Sequence, residues 1–156
     1  RTVLREYLEA MRALWSRDEA SYAGTYVEFG PSWAWPKPVN RTVPVLIGAA
    51  GTERTFGWIA AHADGWITTP GETDITDRLS LLTKIWTDAG RDGAPRVVAL
   101  DIKPDADRLA EWAAAGVTDV LYGLPDKPEP EVRAYLERLA GKLRNMELIT
   151  ATGEDD

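Results

Sequence analysis

Apolar positions recur at two different periods along the chain, and the period changes near residue 43. Between residues 2 and 16, Leu4, Tyr7, Leu8, Met11, Leu14 and Trp15 fall at steps of three and four, one stripe of an amphipathic helix. Residues 20 to 42 keep neither period. There Gly24, Gly30, Pro31, Pro36 and Pro38 stand among Tyr22, Tyr26, Phe29, Trp33 and Trp35. A disordered linker would not carry so many aromatic residues, so the segment reads as an ordered excursion or a short hairpin.

From residue 43 onward, short apolar runs alternate with helical periods. Runs at 43–47, 64–68, 96–102 and 117–122 predict strands, and residues 53–63, 72–89, 105–115 and 129–145 predict helices. Asp105 is a natural N-cap, while Gly90 and Gly116 stop the helices before them. Strands alternating with helices imply parallel pairing through right-handed crossovers. Strands that are apolar almost throughout imply cover on both faces. Four of them fit a small doubly wound sheet, or half of an eight-stranded (β/α) barrel that needs about 250 residues in full. Spacing leaves both readings open. Residues 151–156 read as a disordered acidic tail.

Composition narrows the partners. The chain has 156 residues, 18 Lys and Arg against 25 Asp and Glu, a net charge of −7, and no Cys. An acidic chain without a basic cluster is a poor fit to nucleic acid or an anionic membrane surface. The lack of Cys removes disulfides, thiolate-held zinc and cysteine nucleophiles. No apolar run reaches the roughly 18 residues of a membrane span, and the expected location is the cytoplasm. The chain opens on Arg1 within the helical pattern, which reads as the middle of a longer protein.

The most informative chemistry is the turn Gly48, Ala49, Ala50, Gly51, Thr52. It follows an apolar strand and opens a helix, so backbone amides and the positive helix end converge there. Small side chains let an anion approach, and Thr52 can cap the helix or donate to a phosphate. The turn matches neither Gly-x-Gly-x-x-Gly nor a P-loop, and a plain strand-to-helix turn is the alternative. His62 is the single histidine; lacking a His partner it makes no metal site, and packing or bonding at a helix end is its simpler role. Thr68, Thr69, Glu72, Asp101, Lys103, Tyr122 and Gly123 fall at carboxyl ends of predicted strands, where parallel α/β folds bind ligands. Taken singly, each is also an ordinary cap or turn residue.

Several stretches in order resemble one family: Tyr7-Leu-Glu-Ala-Met-Arg-Ala-Leu-Trp15, Tyr22-Ala-Gly-Thr-Tyr26, Trp35-Pro-Lys-Pro-Val39, Pro44-Val-Leu-Ile-Gly48, Ala63-Asp-Gly-Trp-Ile67, Ala89-Gly-Arg-Asp92 and Ala115-Gly-Val-Thr-Asp119. At this spacing they resemble the carboxyl-terminal half of a luciferase-like monooxygenase, in the actinobacterial branch that uses the deazaflavin F-420. The resemblance implies that residues 1–150 form strands five to eight of a TIM (β/α)8 barrel, with 20–42 an insertion before the fifth strand. It implies a cofactor, F-420 or alternatively FMN, whose phosphate side meets Gly48, Ala49, Ala50, Gly51 and Thr52. The implied activity is hydride transfer between F-420 and a small organic substrate. An FMN-dependent monooxygenase and a non-catalytic half-barrel that only assembles are the alternatives, and the catalytic residues are expected in the missing half. A half-barrel leaves two strand edges and an apolar inner layer open. Such a chain is expected to be unstable alone and to pair with another chain or a missing amino-terminal half.

Overall fold

The computed structural model of the chain describes residues 2–70, 72, 74–101 and 103–151, with side chains through residue 146. The opening stripe forms α1 (Thr2–Ser16). Leu8 is buried as the stripe predicts, but Leu4 and Tyr7 stay exposed, and Glu6 and Ala10, outside the stripe, are buried. The reason is the excursion, which folds as an antiparallel hairpin of β1 (Ala20–Ala23) and β2 (Glu28–Ser32) against α1. Glu6 accepts hydrogen bonds from the amides of Tyr26 at 2.6 Å and Val27 at 3.2 Å. These bonds to the hairpin turn hold its carboxyl below the usual range. Tyr22 donates to Glu9 at 2.6 Å. Lys37 Nζ donates to the carbonyls of Leu14 at 2.7 Å and Arg17 at 2.5 Å, satisfying acceptors at the end of α1. The excursion is thus ordered by polar ties, while Tyr26, Trp33 and Trp35 face solvent.

Beyond it, β3 (Leu46–Gly48), β4 (Gly65–Ile67), β5 (Arg96–Asp101) and β6 (Asp119–Tyr122) form one parallel sheet in that order. The crossovers are α2 (Glu53–His62), α3 (Ile75–Asp88) and α4 (Ala106–Ala115), and α5 (Glu129–Ala151) follows β6. Several predicted boundaries move. The first strand begins at Leu46 rather than 43, because Pro44 has no amide to give a ladder and the amide of Val45 donates to Asp64 Oδ2 at 2.8 Å. The helix predicted from 72 begins at Ile75, because Asp74 sits at φ 56° and Glu72 closes its own turn onto Thr69. Asp105 caps α4 through the amide of Arg108 at 2.9 Å, and Gly116 ends it at φ 108°. Ala151 belongs to α5, which outruns its predicted end at 145. Ile102 and the remaining tail, 152–156, lie outside the described residues.

Register decides which side chains make the core. Ile47, Trp66 and Val97 are partners across the sheet, as are Ala99 and Val120, and all five pack with α2, α3 and α4. Because side chains alternate between faces, Leu46, Ile67, Val98, Leu100 and Leu121 lie on the other face, where Leu121 is 52% exposed. The helices that build the core pack on one side, consistent with a half-barrel, while on the other face Val98 is buried and Leu121 is open. Near the amino ends of the strands, Asp64 gathers Arg12 at 3.3 Å, Arg91 at 3.5 Å and the Val45 amide. Arg91 also donates to the carbonyls of Ala60 and Ala63 and lies over the Trp86 ring at 4.1 Å, joining α2 to α3. Arg96 grips Asp119 through two bonds of 2.9 and 3.1 Å, holding β5 to β6.

Two outcomes follow. A Cβ at Gly65 would lie 1.9 Å from the Arg96 carbonyl oxygen, so Gly65→Ala should cost about 3 kcal/mol or more in urea unfolding. Glu6 and Asp119, the latter bonded by Arg96 and Thr118, both have lowered pKa values. Their contribution is therefore complete above the ordinary carboxylate range and lost as pH falls through the folded values. The unfolding midpoint should drop between about pH 6 and pH 3, and Glu6→Gln should flatten that drop.

Candidate functional site

Parallel pairing carries the carboxyl ends of all four strands to one edge of the sheet. The first of these ends is the 48–52 turn. Gly51 is buried, and a Cβ there would lie 3.0 Å from Trp66 Cζ2 and 3.1 Å from Phe56 Cζ. Those two rings meet edge to face at 5.0 Å. Trp66 Nε1 donates to the Ala49 carbonyl at 2.7 Å, so one buried indole shapes the turn from below. Thr52 caps α2 by accepting from the amide of Thr55 at 3.2 Å, and its own amide donates to Ala50 O at 2.9 Å.

After these bonds, the amides of Gly51 and Glu53 have no partner among the described residues. A Cβ at Gly48 would meet nothing within 4 Å. Open space and unpartnered amides at a helix start suit the oxygens of a phosphate group. Glu53 is the counterweight, since its carboxylate shares the same positive helix end.

The neighbouring strand ends are built differently. Thr68 is buried and structural: its Oγ1 accepts from the amide of Leu100 at 2.9 Å. Thr69 Oγ1 donates to Glu72 at 2.7 Å, closing the loop before α3. Asp101 receives Arg108 Nη2 at 2.8 Å, and the same nitrogen donates to the Lys103 carbonyl at 2.5 Å. Asp101 thus raises the pKa of Arg108. Burial, with Asp101 beside it, pushes the Tyr122 phenol up. Tyr122 Oη and Arg108 Nε are buried without a hydrogen-bond partner among the described residues.

His62 lies at the opposite end. Its ring packs 4.9 Å from Trp58, and it lines a cavity of about 560 Å³ with Arg12, Trp15, Arg41, Asp64 and Arg91. It does not meet the residues of the 48–52 turn in that cavity. Sequence reasoning missed Trp66 and Arg108 as shapers of the mouth. Trp66 had no local signal, because its acceptor is 17 residues away. Arg108 sits one helical turn past a cap that was legible. Trp66→Phe, which keeps the ring stack but loses the N–H, should cost about 1–2 kcal/mol. It should also raise amide exchange at 49–52 above that of β5.

A family model described as luciferase-like monooxygenase matches residues 1–148. A Mycobacterium tuberculosis protein, the uncharacterized protein Rv0953c, is 63% identical over 143 residues, covering 92% of this chain and 51% of its own length. A second one from that organism, Rv0940c, is 27% identical over 151 residues, 92% of this chain and 49% of its own. The chain thus spans about half the length of the curated relatives it matches. Among solved structures, monooxygenase RslO1 from Streptomyces bottropensis superposes with a TM-score of 0.52 at 19% identity, over 90% of this chain and 42% of that one. That likeness concerns the fold. With a match running over nearly its whole length, the chain belongs to the luciferase-like monooxygenase family.

Proposed function

We propose that this chain supplies the phosphate side of a cofactor site in a flavin-type oxidoreductase, with the deazaflavin F-420 as cofactor and a small organic molecule as substrate. The observation that carries the reading is the 48–52 turn: two unpartnered amides, at Gly51 and Glu53, opening a helix at the carboxyl edge of a parallel sheet. In a family whose members commonly use flavins or deazaflavins, that is where a cofactor phosphate would rest. Gly48, Ala49, Ala50, Gly51 and Thr52 would hold it. Trp66 fixes the turn so that the amides are oriented before binding, which lowers the ordering cost. When bound, the deazaflavin would exchange a hydride with the substrate, and the protein's share is orientation and exclusion of water.

The other half of the barrel belongs to the same proposal. Among the described residues β3 and β6 each pair on one side only, and Leu121 faces outward from the sheet. A complementary (β/α)4 half, on this chain's longer form or on another chain, would pair those edges and cover that face. The family's description as monooxygenases favours a second reading, an FMN-dependent enzyme that uses the same turn.

The test is titration with F-420 and, separately, FMN, followed by cofactor fluorescence. Saturable F-420 binding is expected, weakened about tenfold or more by Gly48→Glu, a position with room for the side chain. FMN binding alone would move the chain to the second reading, and saturable binding of neither would overturn the site.

A further inference from the structure

A second cavity, of about 280 Å³, lies between the loop after β5 and the α5 helix. Lys103 and Pro104 line one side, and Tyr135, Arg138, Leu139 and Lys142 the other. Three cations therefore face one space with no carboxylate in its lining, on a chain whose net charge is −7. Among the described residues none of the three takes part in an ion pair.

The contrast with the cavity beside His62 is instructive. Its arginines are already spent on protein acids, Arg12 and Arg91 on Asp64, and Arg41 on Asp18. The helical spacing explains the cluster: Tyr135, Arg138, Leu139 and Lys142 fall at steps of three, one and three, so they share one face of α5. Gathering like charges without a counter-charge is unfavourable unless an anion joins them. Glu131, with Arg138 and Tyr135, lines the adjoining groove rather than this one.

We propose that Lys103, Arg138 and Lys142 form a binding site for a small organic oxyanion, a phosphate or carboxylate group whose apolar part rests on Pro104, Tyr135 and Leu139. Arg138 offers a planar fork to the oxyanion, and the two lysines add point charges that need less exact aim. The loop carrying Lys103 leaves the same edge of the sheet as the 48–52 turn, from the strand two positions away. The site does not depend on the cofactor reading, since its ligand chemistry is set by its own three cations.

The experiment is an amide-resolved NMR titration of the chain with inorganic phosphate and, in a second arm, succinate, at constant ionic strength balanced with KCl. Saturable shifts are expected at 103–104 and 135–142. Arg138→Gln with Lys142→Gln should weaken binding about tenfold or more. Lys84→Gln with Arg5→Gln, which removes the same charge elsewhere on the surface, should bind as the parent does. Tighter binding of phosphate names that group, and tighter binding of succinate names the carboxylate. Shifts confined to 48–52, a non-saturating response in both arms, or an equal loss in the Lys84/Arg5 variant would overturn the proposal. All four substituted side chains are on the surface, and circular dichroism checks that each variant is folded.

Discussion

Trp66 is the residue on which both the core and the candidate site depend. Its ring is fully buried between the sheet and α2, edge to face with Phe56. The same ring limits what can stand at position 51, and its N–H holds the Ala49 carbonyl. A buried indole must find an acceptor for its N–H, and here the acceptor is the turn itself. Packing the core and shaping the turn are therefore one event. A loosened core would misplace the amides of Gly51 and Glu53 before it unfolded the sheet.

The two ends of the sheet divide the labour. At the amino ends, charges are consumed in holding elements together: Asp64 takes two arginines and an amide, and Arg96 takes Asp119. At the carboxyl ends, polar groups are left over. The amides of Gly51 and Glu53, the Tyr122 hydroxyl and Arg108 Nε have no partner among the described residues, and three cations share one cavity. The division is not complete, because Trp86 Nε1, in the last turn of α3 under Arg91, is also buried without a partner among the described residues.

The stretches that carried the family resemblance prove to be joints more than reactive groups. Asp64, Gly65 and Trp66 are respectively an ion-pair hub, a point of backbone contact and the support of the turn. Arg91 ties the end of α2 to Trp86, and Lys37 closes the end of α1. Gly116 turns the chain out of α4, while Thr118 and Asp119 bond to Val97 and Arg96. Joints of this kind restrict residue identity because each needs one shape or one charge, so a set of them in order identifies a fold even where no motif names a reaction.

Local rules were enough for much of the rest. Alternating periods gave the four strands and five helices, Asp105 and Gly116 gave the limits of α4, and the Gly and Ala content of 48–52 marked the turn, because each depends on neighbours a few residues away. Tertiary structure alone decided which face of the sheet the helices cover, why Glu6 is buried while Leu4 is not, and that Lys103 stands beside Arg138 and Lys142. Those outcomes turn on contacts between residues 20 to 40 positions apart, and no period or cap encodes such pairings. They arise only when strand register and helix packing bring distant segments to the same place.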